Sequence, residues 1–360
     1  MRSVDLVDEL AASLQRQRLG DETGKFCKLP PPAKRFKEEL EKTGFTIFKP
    51  ISDLGFYEWE PDLEDHSQLG DISANEIKRQ LHVRGKPARL INLRTIRLPF
   101  SFPDLPPQVY ENIYPLARCE IAGIHVATKI RGLKLTDIDF VFFGGSTLSM
   151  LATQNASQKT YLVTKVPGTS VGIVAKDENY SFNLADPGFQ FERLVTGRPV
   201  DEMEEPTFVE HMQVLKVGMY TILFIAKVDA LKDGEPVEVT FSNPFYWDIK
   251  QCLQCVSTGS AILVHGRKNR EKDGEHRGQL DSISIKTLRR LYEAKSDKLK
   301  TAENAIVQSL DDLKQQLDVC KACRDYEIIF SMEGHLNLRA KSGLSKLLPL
   351  SDVINALIVV

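Results

Sequence analysis

The chain has 360 residues, 42% hydrophobic and 27% charged, and its 47 basic against 49 acidic side chains leave a formal charge of −2. This is the composition of a globular protein of one large domain or two ordinary ones, and it excludes a chain that is basic overall, though not one with a local basic patch. Six cysteines are too sparse for a disulfide scaffold, and no apolar run approaches the ~18 residues of a membrane span. The mixed-charge start Met1-Arg2-Ser3-Val4-Asp5 predicts no secretory signal, so the expectation is a soluble intracellular protein with no membrane partner.

Near the N-terminus Val4, Leu6, Val7, Leu10, Leu14 and Leu19 recur near helical spacing, and Gly20–Gly24 and Pro30-Pro31-Pro32 then break the pattern. A loosely attached arm with a short helix is expected there. Leu90–Pro99 alternates as a strand, and Pro103, Pro106 and Pro107 mark a loop. Residues 115–130 are apolar at helical spacing and predict a buried helix. Phe140–Phe143 is a short aromatic strand ended by Gly144-Gly145. Tyr161–Val166 and Ser170–Ala175 predict a strand pair turned by Pro167-Gly168.

Val214–Asp229 reads as one long strand, and Asp233-Gly234 turns it into Val237–Phe241, a strong hairpin signal. A helix over Trp247–Val256, a strand over Ala261–Val264 and a basic loop at 267–277 follow. Amphipathic patterns cover 283–295 and 298–323, with a final strand at Glu327–Met332 and a short helix near 350–358. Mixed elements with an antiparallel pair predict an α+β (mixed α/β) fold, not a doubly wound sheet. No G-x-G-x-x-G or G-x-x-x-x-G-K-[ST] run is present, which excludes the nucleotide folds built on them.

Three acids fall where a metal-dependent nuclease needs them: Glu192 near a predicted helix, Asp229 at the end of the long strand, and Glu238 on the returning strand. Alternation puts Lys227 beside Asp229 and Glu238 beside Thr240, so the hairpin is expected to gather all four. Two-metal phosphoryl chemistry requires several carboxylates at one locus. Spacing alone more often describes exposed strand carboxylates.

Gly188-Phe189-Gln190-Phe191-Glu192 resembles the G-[FY]-x-F-E motif of the decapping exoribonuclease (DXO) family. Ala226-Lys227-Val228-Asp229 is similar to its G-E-[VM]-D motif with the first acid replaced, and Val237-Glu238-Val239-Thr240 to its E-[LV]-K motif with the lysine replaced. Asp139-Phe140-Val141-Phe142-Phe143-Gly144-Gly145 resembles D-F-V-x-W-R-G with glycine in place of arginine. Gln254 and Gly259–Gly266 follow in family order. The resemblance implies a two-sheet β core flanked by helices with a groove between the sheets, an arm over residues 1–28 and a single domain over 29–360.

In that family the acids hold Mg²⁺ or Mn²⁺, the lysine positions water and the arginine grips RNA phosphate. Here Lys227, Thr240 and Gly144 replace an acid, the lysine and the arginine, which implies a degenerate site with no catalytic residue, metal or other cofactor. Lys227 is expected to supply the countercharge by pairing with Asp229 or Glu238. The degenerate pattern further resembles the germline branch of the family. It implies a nuclear protein held at heterochromatic piRNA clusters by a Rhino/Deadlock-type complex, shielding nascent RNA 5′ ends and suppressing termination and splicing. Two alternatives stay open: an active 5′-end RNA hydrolase with Mg²⁺ or Mn²⁺ at Glu192, Asp229 and Glu238, and a scaffold without RNA contact.

Elsewhere, Cys252/Cys255 and Cys320/Cys323 have the form of a zinc site but lie in helix-like sequence, where buried thiols are commoner. Arg267, Lys268, Arg270, Lys272, His276 and Arg277 form a basic loop that could meet RNA phosphates, or, interrupted by Glu271, Asp273 and Glu275, a solvated one. Lys34, Arg35 and Lys37 have the same two readings. Phe142-Phe143 and Tyr246-Trp247 could stack on bases, but aromatics at strand ends and at the start of an apolar helix are more often core. The histidines, including those at 82, 125, 211, 265, 276 and 335, show no metal spacing. The stretch 298–323, with Ala305, Ile306, Leu310, Leu313 and Leu317, is expected to pack on its own sheet.

Overall fold

The four residues of β5 (Phe140–Phe143) are buried on both faces, so this strand must lie inside a sheet covered on each side. The computed structural model places it there. The structure describes residues 29–59, 81–82, 87–107, 109–111, 122–155, 160–177, 181–183, 185–201, 208–243, 248–268, 278–343, 345 and 347–348. The predicted N-terminal helix, the 350–358 helix, Tyr246-Trp247 and the loop residues Arg270, Lys272, His276 and Arg277 lie outside them.

The first elements are α1 (Lys34–Glu41), β1 (Phe48–Trp59), β2 (Leu81–His82), β3 (Phe100–Ser101) and β4 (Val109–Glu111). After β5 come α2 (Thr147–Thr153), β6 (Tyr161–Lys165), β7 (Gly172–Lys176), β8 (Ser181–Asn183), α3 (Pro187–Thr196), β9 (Phe208–Val217) and β10 (Tyr220–Lys227). The rest are β11 (Ala230–Lys232), β12 (Glu235–Ser242), α4 (Lys250–Thr258), β13 (Ile262–Lys268), β14 (Gln279–Thr287), α5 (Leu288–Glu293), α6 (Ser296–Val319), β15 (Asp325–Phe330) and β16 (Leu336–Ala340).

Nine strands form one sheet in the order β16-β15-β6-β7-β5-β10-β9-β1-β2, and five form a second in the order β11-β12-β13-β14-β3. Alternation along β10 splits the large sheet's two faces. Ile222 and Phe224 join Phe140 and Phe142 in a core shared with Val237, Val239 and Val264 of the second sheet. Leu223 and Ile225 join Val141 and Met212 in a core closed by Ile124, Val126 and Ala127. Helix α6 buries Leu299, Ile306, Leu310, Leu313 and Leu317, the i, i+3, i+4, i+7 stripe of a helix packed on its own sheet. The mixed α+β, two-sheet expectation is met.

Several local expectations are corrected. Residues 214–229 are not one strand: the chain reverses at Gly218-Met219, where Gly218 has φ +60, and β9 and β10 pair antiparallel as Val217↔Tyr220 through Glu210↔Lys227. Apart from the exposed Lys216 and Met219 and the turn glycine, the residues on either side are largely buried, and so short a turn is easily read through by a periodicity argument. Leu90–Pro99 is not a strand either; the Asn92 side chain accepts the Arg94 N–H at 3.2 Å and folds Leu93–Thr95 into a 3₁₀ turn. Residues 283–287 finish β14 before the helix starts. The helix at 115–130 is described from 122 and ends in a π-turn over Val126–Ile130.

Candidate functional site

Each residue of the Gly188–Glu192 run has a separate local task. Asp186 caps α3 by accepting the Gly188 N–H at 2.7 Å, with Pro187 opening the helix. Gln190 donates from Nε2 to Pro103 O at 3.1 Å and Ala185 O at 2.9 Å. Phe191 is fully buried against Phe241 of β12, and Phe189 offers its ring to Lys227 Nζ at 5.3 Å. Glu192 therefore projects from a helix fixed on both sides. Its Oε2 lies 3.3 Å from Lys227 Nζ.

The chain leaves the large sheet at Lys227, the last residue of β10, and enters the second sheet at Ala230. Asp229 lies in this crossing, not at a strand end. Lys227 Nζ is 3.8 Å from Asp229 Oδ1, and Asp229 Oδ2 accepts the Val239 N–H at 2.9 Å. Glu238, on the neighbouring residue of β12, is only 4% exposed and is hydrogen bonded by Thr258 at the end of α4. The expected clustering of Lys227, Asp229 and Glu238 thus arises by a crossing between two sheets, and Glu192 joins it. The partners of Lys227 are Glu192 and Asp229, not Glu238.

Burial governs the charges. It pushes the Asp229 carboxyl up to about 7, with the Glu192 charge adding to it and Lys227 and the Val239 N–H opposing. Burial and then the Asp229 charge push Glu238 well above the usual carboxylate range. Burial opposes the Lys227 charge, but Glu192 and Asp229 outweigh it, and the ammonium is held above its ordinary value even though Arg198 opposes it. The cluster holds three carboxyls against one ammonium, and the two deepest carboxyls resist ionisation.

Gly144 follows β5 with φ +78 and donates its N–H to Ile225 O at 2.9 Å. A side chain at this position is strained, so an arginine cannot simply be restored there. Gln254 of α4 lies against Gly145. Thr240 occupies β12 two residues beyond Glu238, on the same face. Arg267 and Lys268 end β13, where Leu263 pairs with Glu238 and Arg267 with Ser242. Four residues of strand put Arg267 about 13 Å further along, so the structure does not bring it to the cluster.

Sequence reasoning missed the clamp that holds α4. His211 of β9 is 1% exposed; its Nδ1 is 2.9 Å from Thr258 O and its Nε2 2.8 Å from Asp53 Oδ1. Gln213, two residues on, donates to Val256 O at 2.8 Å and Ser257 O at 2.9 Å. The last carbonyls of α4, which otherwise lack donors, are satisfied from the large sheet. Both nitrogens of His211 thus sit against oxygen atoms, one a carbonyl at the C-terminus of α4 and the other the Asp53 carboxylate. Asp53, despite burial, is lowered by its bond to His211 and by the charge of that ring. The only legible signal was the Gly259 that stops the helix.

The Asp139 of the motif beginning at β5 is also structural. Its Oδ2 accepts the Thr221 N–H at 3.0 Å and its Oδ1 accepts Lys314 Nζ of α6 at 3.0 Å. Cys252 and Cys255 are buried in α4 with thiols raised by burial, while Cys320 and Cys323 lie half-buried beyond α6. The four are free thiols, one pair in α4 and the other beyond α6, and no group of three or more His, Cys, Asp or Glu that could hold a metal ion is found among the described residues. Phe142 and Phe143 are core residues, and Lys34 and Lys37 make i, i+4 pairs on the exposed face of α1. No helix among the described residues is long and apolar enough to cross a membrane.

No family model and no curated protein sequence matches the chain. Solved structures do. The chain is similar to S. pombe Rai1, with a TM-score of 0.58 at 11% identity over 84% of this chain and 98% of that one. It is similar to K. lactis Dxo1 in complex with manganese, with a TM-score of 0.55 at 11% identity over 88% and 96%. Against Scheffersomyces stipitis Rai1 the TM-score is 0.53 at 12% identity, over 92% and 97%. Such identities speak for the architecture alone: this chain has the DXO/Rai1 fold.

Proposed function

We propose that this protein is a catalytically inactive member of the DXO/Rai1 group, a fold of RNA 5′-end processing proteins, in which Lys227 takes the place of a divalent cation. The ion pairs of Lys227 with Glu192 at 3.3 Å and Asp229 at 3.8 Å carry the reading. The donor set does not suit Mg²⁺ or Mn²⁺. One oxygen of Asp229 is committed to the Val239 N–H, Glu238 to Thr258, and the ammonium has no lone pair to offer. A divalent ion about 4 Å from that ammonium meets a repulsion of up to about 8 kcal/mol at an effective dielectric constant of 20, less for a lysine about a third exposed.

In this reading the groove that the resemblance implies between the two sheets binds an RNA 5′ end without cutting it. Lys227, Thr240 and Gly144 in place of the motif acid, lysine and arginine make the chain similar to the fly germline protein Cutoff. That similarity supports a nuclear role at piRNA clusters through a Rhino/Deadlock-type complex, shielding nascent RNA 5′ ends and suppressing termination and splicing. Arg267 and Lys268 are the described members of the basic loop available to RNA.

The test is titration of the purified protein with 5′-monophosphate, triphosphate and capped RNA in Mn²⁺ and in EDTA, scoring binding and cleavage together. Binding that EDTA leaves intact, without product, is expected. Metal-dependent product that disappears in Glu238→Gln would overturn the proposal in favour of an active hydrolase. Absence of both binding and cleavage would overturn the RNA-shielding role in favour of a scaffold.

A further inference from the structure

A cleft of about 740 Å³ opens between residues 89–94, the β11–β12 turn and Ile285 of β14. It shares no lining residue with the carboxylate cluster. Its lining includes Arg89, Arg94 and Lys232 against a single acid, Asp233. Asp233 already faces a fourth cation, Arg35, at 3.9 Å. None of Arg89, Arg94 and Lys232 has a carboxylate partner among the described residues. Three cations lining one concavity favour an anion within it, which offsets their mutual repulsion.

The other lining is aliphatic. Leu90, Ile91, Leu93 and Leu231 line the cleft, and Ile285 remains 40% exposed. A lining that mixes basic and aliphatic side chains, at a volume within the ordinary range of ligand sites, matches a molecule with an organic part and a strongly anionic part. The local backbone is already spent. Leu90 N–H donates to Leu231 O, Leu231 N–H to Ala88 O, Ile91 N–H to Val195 O and Arg94 N–H to the Asn92 side chain. An extended peptide, which binds through main-chain hydrogen bonds along such an edge, finds those donors occupied. Guanidinium forks and an ammonium remain, and these suit phosphate oxygens.

We propose that this cleft is a nucleotide-phosphate site, in which Arg89, Arg94 and Lys232 hold phosphate groups and the aliphatic lining supports the ribose and base. The ligand is a free nucleotide or a stretch of single-stranded RNA. The site stands whether or not the carboxylate cluster is catalytic, because no residue is shared.

The test uses the full chain with two probes, a fluorescent single-stranded decauridylate and unlabelled uridine monophosphate, over a salt series. Arg89→Ser/Arg94→Ser/Lys232→Ser is expected to weaken decauridylate about tenfold or more and to lower the salt slope by about 2, three contacts at about 0.7 each. A second variant, Asp233→Asn, removes the one acid, keeps a residue tolerant of its φ of +55 and is expected to tighten binding severalfold. It keeps the proposal testable if the triple variant fails to fold. Decauridylate binding with monophosphate competing only weakly identifies RNA as the source, and equal competition identifies the free nucleotide. Unchanged affinity and slope in a folded triple variant, or no tightening in Asp233→Asn, overturns the proposal. So does displacement of the RNA by a glutamate decapeptide at equal concentration, which would assign the cleft to an acidic protein partner.

Discussion

Removal of the Lys227 charge is the most informative perturbation, and Lys227→Met does it while keeping the apolar stem. Breaking a buried pair costs about 3–5 kcal/mol. The Lys227 side chain is 34% exposed, so solvent screening brings the expected loss to about 1–2 kcal/mol. The pH dependence is more diagnostic than the size. Asp229 titrates near 7 in the folded protein, against about 3.9 unfolded. Between those values the folded state keeps a proton that the unfolded state has released, so stability falls as pH rises from about 4 to about 7. At 1.36 kcal/mol per pH unit the fall is at most about 4 kcal/mol, and Glu238, also raised, acts in the same direction. Lys227 is protonated in both states throughout this range, and its contribution is lost only as pH rises beyond its unfolded value of 10.5. It opposes the carboxylate repulsion only where the acids are ionised. Urea unfolding at pH 5 and pH 8 is therefore expected to show a larger loss for Lys227→Met at pH 8. An equal loss at both values, or none, refutes the electrostatic account.

Four further outcomes follow from named residues. Gly144→Ala and Gly144→Arg should each lose about 1–2 kcal/mol in denaturant unfolding because φ is +78; a Gly144→Arg protein as stable as the parent would show that the position is not strained. His211→Ala should cost about 3–5 kcal/mol by leaving Asp53 and the Thr258 carbonyl unmatched. Asp53→Asn should remove part of the acid limb of the stability profile, since a lowered carboxyl contributes stability that is lost as pH falls, and an unchanged acid limb contradicts this. Asp139→Ala should lower stability by about 1–3 kcal/mol without changing RNA binding, because Asp139 ties β10 and α6 to the start of β5; loss of binding in a fully stable variant would assign it to the ligand instead.

The sequence made elements legible where one chemical signal dominates. Asp233-Gly234, with φ +55 and +86, turns β11 into β12 as its residue types demand, and the α6 stripe was readable from spacing alone. Failures occurred where a tertiary partner decides. The β9–β10 reversal is hard to read because a two-residue turn between largely buried strands leaves only Lys216, Gly218 and Met219 to mark it. Leu90–Pro99 lost its strand to one Asn92 side-chain bond. At the site, the order of the Glu192, Asp229 and Glu238 motifs was readable, but not the partner of Lys227, because Glu192 arrives from a separate helix. The His211–Asp53 clamp joins residues 158 positions apart, and nothing local announces it.

Manganese binding measured by electron paramagnetic resonance, on the parent protein and on Lys227→Glu, tests most directly whether a lysine has taken the metal's place. The parent should leave Mn²⁺ free in solution at micromolar concentration, and the variant, with an acid restored among Glu192, Asp229 and Glu238, should bind it more tightly. Stoichiometric Mn²⁺ on the parent, lost in Asp229→Asn, would contradict the account and return the site to the metal-dependent hydrolases.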